Sequence, residues 1–177
     1  MAKYASRYTS VTMAVTAAGS NISTTGVNGF MGLINGTSTQ QSKISEVYMG
    51  GEAASSSTVA SMVLGRATTL ASTATAGAAT SILTDITASA PATGPTAFTQ
   101  WVTTTAPVVT SGASILNLSF NAYGGIVRWV SSPDQQITLL GTSAYTVGTQ
   151  GAGGEIILTQ VAGTAAQMSG HFLYEVL

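Results

Sequence analysis

Leu116-Asn117-Leu118-Ser119-Phe120-Asn121-Ala122 decides the fold class. Leu116, Leu118, Phe120 and Ala122 alternate with Asn117, Ser119 and Asn121. A period of two places the apolar side chains on one face of a pleated strand and the polar ones on the other. The segment reads as a half-buried antiparallel strand. Gly124-Gly125 follows, and two glycines supply the positive φ of a tight type I′ or II′ turn. Ile126 to Val130 then returns, so the spacing predicts a β-hairpin. Ser132-Pro133-Asp134 predicts another turn, with Asp134 bonding its own backbone, and Ile137 to Leu140 another strand.

The same period extends outward. Val11, Met13 and Val15 alternate with Thr12, Ala14 and Thr16. Asn28-Gly29 and Asn35-Gly36 are turn dipeptides on either side of Phe30 to Ile34. Ile44 to Met49 ends at Gly50-Gly51, and Val59 to Leu64 ends at Gly65. Tyr145 and Val147 form a short piece before the Gly-rich run 148–154, which reads as a loop. Ile156 to Val161 and Phe172 to Val176 close the chain, with a loop over 163–167 between them.

Residues 67–97 break the pattern. They are rich in Ala, Thr and Ser, with Gly77, Pro91, Gly94 and Pro95, and read as an irregular excursion. Ile82, Leu83 and Ile86 have helical spacing and predict one short helix near 78–87. Pro91 to Pro95 connects two groups of strands. The expected architecture is all-β, an antiparallel β-sandwich or jelly roll. It comprises one domain over 11–177 with a long insertion about 67–97, preceded by an N-terminal arm over 1–10. No fixed-period repeat points to a solenoid or propeller.

Composition narrows the function. Only 6% of the 177 residues are charged and the net charge is −1, against roughly 25% charged in an ordinary soluble domain. Near-zero charge favours association. Just over half the chain is Ala, Thr, Ser and Gly, small side chains that lose little rotamer entropy when a surface is covered. These features point to a protein that packs against other protein. Five scattered cations make no stripe for nucleic acid. No run of roughly 18 apolar residues predicts a membrane span. The start lacks the apolar core of a signal peptide, because Thr9, Ser10, Thr12 and Thr16 interrupt it. The sequons at Asn21, Asn35 and Asn117 are then by-products of a Ser/Thr-rich chain. The absence of cysteine excludes disulfides and thiolate chemistry and fits assembly in a reducing cytoplasm.

Catalytic patterns are thin. His171 is the one histidine and, beside Phe172, reads as an outward or satisfied strand residue. No second histidine and no cysteine completes a usual zinc site. No Gly-x-Ser-x-Gly elbow supports a Ser-His-Asp triad. The acids Glu46, Glu52, Asp85, Asp134, Glu155 and Glu175 are dispersed, and none forms a local pair or a calcium loop. The Gly-rich run lacks the Lys and Ser/Thr of a phosphate loop. No catalytic, cofactor or metal residue is assigned, and no enzyme activity is expected. Trp101 and Trp129 could stack a sugar, but core packing or subunit contact fits a strand such as Arg128-Trp129-Val130 better.

Assembly contacts are the remaining candidates. Lys3, Tyr4, Arg7 and Tyr8 join two of the five cations to two aromatics, and Arg and Tyr are enriched at interface hot spots. They read as an arm docking on a neighbour. Arg128 and Trp129 join them as candidate contacts.

The C-terminal half resembles a known group. Leu116 to Ala122, then Arg128-Trp129-Val130 before Pro133, then Ile137-Thr138-Leu139 and a final apolar strand, resemble small structural proteins of tailed bacteriophages. The likeness covers about 115–177. It implies a capsid decoration or cement protein, commonly trimeric, with a β-sandwich or jelly-roll body. The implied partner is the major capsid protein and the implied location the capsid surface. Attachment through apolar and backbone contacts would depend weakly on salt. Other expectations are a major shell, tail, fibre or pilin-like subunit, or a jelly-roll carbohydrate-binding module.

Overall fold

Alternation of small polar and apolar side chains produces strands across the described chain. The computed structural model describes residues 2–15, 29–35, 40–54, 59–67, 74–75, 79–84, 95–101, 109–141 and 154–177. For 74, 75, 83, 101 and 109–113 this covers the backbone alone. The strands are β1 (Ala2–Thr12), β2 (Met31–Ile34), β3 (Ser42–Glu52), β4 (Val59–Ala67), β5 (Ala74–Thr75), β6 (Ala79–Leu83) and β7 (Thr96–Phe98). They continue with β8 (Gln100–Trp101), β9 (Val109–Asn121), β10 (Tyr123–Val130), β11 (Ile137–Leu139), β12 (Glu155–Ala162) and β13 (Gln167–Val176). The readings for Asn21, Asn28, Gly36, Gly77, Asp85, Ile86, Pro91, Gly94, Tyr145, Val147 and 148–153 lie outside the described residues.

Two sheets make the body. One is six-stranded, in the order β10-β3-β13-β1-β6, with β11 also on β3. The other is five-stranded, in the order β7-β2-β12-β4-β9. Their pairing is nested: β1 with β13, β2 with β12, β3 with β10, and β4 with β9, all antiparallel. First-with-last pairing of eight strands across two sheets is the winding of a jelly roll. The expected all-β sandwich is therefore the observed fold. β5 and β8 form a separate two-stranded ribbon.

The core fills the space between the sheets. Tyr8, Phe172, Leu33, Ile44, Leu64, Ile156 and Leu158 meet there, all buried. Met13, Met31, Met49, Met62 and Met168 lie in the same cluster. Unbranched methionine fills irregular gaps, which suits a chain with few large side chains. Tyr8 packs edge-on against Phe172 at 5.2 Å, and its hydroxyl donates to the Gly32 carbonyl at 2.6 Å. β1 is thus tied to the facing sheet. A second buried cluster of Phe30, Val63, Ala67, Phe98 and Ile157 lies apart from the first.

Three expectations change. Residues 2–10 are not an arm: β1 runs through them between β13 and β6. Ala2, Tyr4, Ser6 and Tyr8 face the core, and Lys3 and Arg7 face outward. Alternation within Ala2–Tyr8 carries this signal, but small residues at Ala2 and Ser6 hide it. Ile82 and Leu83 are not helical but lie in β6, where pairing with Ala5 and Tyr4 overrides a weak helical spacing. Gly124-Gly125 is not a hairpin turn: β9 pairs with β4, β10 pairs with β3, and the chain crosses between sheets. Gly124 has φ +68° at an irregularity in the β10–β3 register, and a Cβ on Gly125 would press on the Asn121 carbonyl.

Candidate functional site

The outer face of the six-stranded sheet gathers charge. Alternation turns Lys3 and Arg7 of β1, Lys43, Glu46 and Glu52 of β3, Arg128 of β10, and Glu175 of β13 to that face. These are seven of the eleven charged residues in the chain, and His171 shares the face. Among the remainder, Glu155 is wholly buried in β12, and Arg66 donates to the Thr138 carbonyl at 2.5 Å.

Register sorts the charges into rows. Arg7 pairs with His171, His171 with Tyr48, and Tyr48 with Arg128. The next row is Ala5, Leu173, Glu46 and Val130. The outermost row is Lys3, Glu175, Lys43 and Thr138. Directly opposed residues on adjacent strands lie within side-chain contact.

Glu46 links two of these strands to its own. Arg128 Nη2 donates to Glu46 Oε2 at 2.7 Å, and His171 Nε2 lies 2.9 Å from Glu46 Oε1. The Arg128 guanidinium holds the Glu46 carboxyl below the usual carboxylate range; burial opposes this, and the His171 contact assists it. Tyr48 stacks on the His171 ring at 5.1 Å, with 12° between planes. Ser45 is the extra residue of a bulge, because β13 passes from a Leu173–Glu46 pair to a Tyr174–Ile44 pair. That bulge keeps Glu46 outward while Ile44 and Val47 stay in the core.

A second polar knot closes one end of the face. Ser10 has φ 48°, a left-handed conformation, at a bulge between Tyr8 and Val11. Its amide donates to Ser169 Oγ at 2.9 Å, and its hydroxyl donates to Glu52 Oε2 at 2.8 Å. Ser169 also donates to Glu52.

Two hollows indent the face. One, of about 380 Å³, is lined by Lys3, Ser45, Thr84, Gln136, Leu173 and Glu175, with Tyr4 and Tyr174. A shallower one, of about 220 Å³, is lined by Arg7, Thr9, Tyr48, Ser169, Gly170 and His171, with Tyr8.

Only part of the candidate set comes together here. Lys3, Arg7 and Arg128 share the outer face, while Tyr4 and Tyr8 are buried and Trp129 packs inward on the core. An inward Trp129 offers no sugar platform on this surface. Trp101 lies in β8, and its side chain is outside the description. Glu46, Tyr48 and His171 were not candidates. Only register joins them, since 125 positions separate Glu46 from His171. Among the described residues, no three of His, Cys, Asp and Glu group as metal ligands. Among them too, no helix is long and apolar enough to cross a membrane.

At the β10 side of the face, apolar residues flank Arg128. β10 pairs only with β3 among the described strands. Along it Tyr123, Ile126 and Val130 are 57%, 66% and 56% exposed. β9 turns Asn117, Ser119 and Asn121 to solvent. No family model matches the chain, no curated protein matches it, and no solved structure matches it.

Proposed function

We propose that the protein is a non-enzymatic structural component of a virus particle, of the decoration or cement type, held on the outside of a phage capsid. The observation that carries this reading is the apolar edge of β10, which pairs only with β3 among the described strands. An edge strand presents unpaired backbone groups, and exposed large apolar residues on it invite another chain. Tyr123, Ile126 and Val130 stand on such an edge in a chain with 6% charge to hold neighbours apart. Jelly rolls are a recurrent architecture of viral shells, which supports the reading by analogy of fold alone.

The proposed mechanism is mechanical. Copies pack laterally through neutral edges, as a homotrimer, and brace the major capsid protein beneath them. Closed symmetry would cover one free edge per subunit. No nucleic acid, membrane or cofactor enters this mechanism. The decisive measurement is a mass spectrum of purified virions with copy number. The chain should appear there at a fixed ratio to the shell protein; its absence from virions rejects the proposal.

The jelly-roll winding also favours a second reading, a major shell subunit. Expression of the chain alone separates the two. A shell subunit assembles closed particles, whereas a decoration protein binds only preformed shells.

A further inference from the structure

The outer face of the six-stranded sheet is the one charged surface described on this neutral molecule. Its ions are unequally satisfied. Glu46 is engaged by Arg128 and His171, and Glu52 by Ser10 and Ser169. Lys3 and Arg7 are exposed and make no ion pair among the described residues. Each lines its own hollow, Lys3 the larger and Arg7 the smaller. Both hollows open on the same face. Four positions apart on β1, the two cations stand about 13 Å apart at the usual rise of a strand.

We propose that this face docks an acidic protein surface, with Lys3 and Arg7 receiving two of its carboxylates. Charge complementarity selects this partner. Glu46 and Glu52 are tied to their own neighbours and Glu175 accepts from Gln136 at 3.4 Å, while Lys3, Arg7 and Lys43 make no ion pair among the described residues, so cations outnumber anions among the groups left for a partner. Glu46, Glu52 and Glu175 are interleaved with those cations, and a continuous polyphosphate would meet all three. A protein surface can place carboxylates over Lys3 and Arg7 and neutral groups over the glutamates. Leu173 and Ala5, in the row between the two hollows, give that partner apolar contact. The identification of that partner with a shell protein rests on the virion reading; the acidic chemistry does not.

The test uses the full, isotope-labelled chain and three probes followed by NMR. The probes are a capped peptide of alternating Glu and Ser, its Lys/Ser counterpart, and a short DNA duplex. The Glu/Ser peptide should shift amides around Lys3, Arg7 and His171, and the Lys/Ser peptide should not. About 0.5 M NaCl should weaken the interaction roughly tenfold, because exposed charges are screened within a few ångströms there. Lys3→Gln with Arg7→Gln should weaken it as much at low salt, and Arg128→Gln should do less, because Glu46 already holds Arg128. The wild-type salt and peptide arms decide the matter even where a variant fails to fold. Shifts absent from this face, equal shifts with both peptides, or tighter binding of DNA would overturn the proposal. Absence of the chain from virions would instead reject the virion reading and leave an acidic-peptide response standing.

Discussion

Tyr8 shows how much one side chain holds. Its ring fills the core against Phe172, and its hydroxyl crosses to the Gly32 carbonyl of the facing sheet. Burial pushes the phenol well above its ordinary range, so it stays a neutral donor. Tyr8→Phe keeps the packing and leaves a carbonyl short of a partner, which costs about 1–3 kcal/mol. Urea unfolding should report that loss as a lower midpoint with unchanged slope. Glu46 acts through its charge. Its folded pKa is depressed, so the stability it contributes is present above its unfolded value of about 4.3 and is lost as pH falls through the lower folded value. Urea midpoints measured from pH 7 down to acid should fall more steeply for the wild type than for Glu46→Gln. Parallel curves would show that the Arg128 contact contributes nothing. At this scale the sequence was partly legible. The alternation around Lys3 and Arg7 was available, but the partners of Glu46 were not, since no local spacing relates it to Arg128 or His171.

The crossing from β9 to β10 is the element whose local chemistry and tertiary role differ most. Gly-Gly before an apolar run has the chemistry of a hairpin, and locally that reading is sound. The chain instead uses it to leave one sheet and enter the other. Gly124 has a left-handed φ with open space around it, so Gly124→Ala should cost about 1–2 kcal/mol of backbone strain alone. At Gly125 a Cβ meets the Asn121 backbone, which has no room to yield. Gly125→Ala should therefore be the more destabilising, and paired thermal melts give the order directly. β10 itself carries the assembly prediction. Ile126→Lys with Val130→Lys alters exposed positions, so stability should stay within about 0.5 kcal/mol for each. Self-association should be lost, as read by light scattering after size exclusion. An unchanged oligomer would move the lateral contact to another edge. β6 teaches the complementary lesson. Ile82 and Leu83 carry a faint helical spacing, but pairing with β1 is worth more than a preference spread over Thr and Ser.

Across the whole molecule, one sheet face carries two regions of opposite character. Ile126 and Val130 form an apolar margin along β10, flanking Arg128 on the same outer face, while Lys3 and Arg7 stand across that face on β1. Sequence alone led to an expectation of attachment nearly insensitive to salt, because so few charges are spread along the chain. Gathered on one face, the same charges act together. Lateral association through β10 should persist in molar salt, while docking through the Lys3 and Arg7 face should weaken. Sedimentation across a salt series, with and without particles, would separate the two responses. Loss of both together would mean that one surface serves both contacts.

The sequence by itself determined the class of fold and the places where most strands run. Period-two alternation is a local property, and Leu116 to Ala122 can adopt little else without exposing an apolar stripe. It also determined that the chain carries little charge. Tertiary structure alone decided which strands became neighbours. Nested pairing set β1 beside β13 and β13 beside β3, and their registers drew Arg7, His171 and Tyr48 into one row. Alternation says which side chains share a face of a strand. It does not say which strand lies next, because pairing is settled by packing two sheets around a common core. The charge-poor composition was legible from the first residue to the last; its concentration on one face was written only in the register.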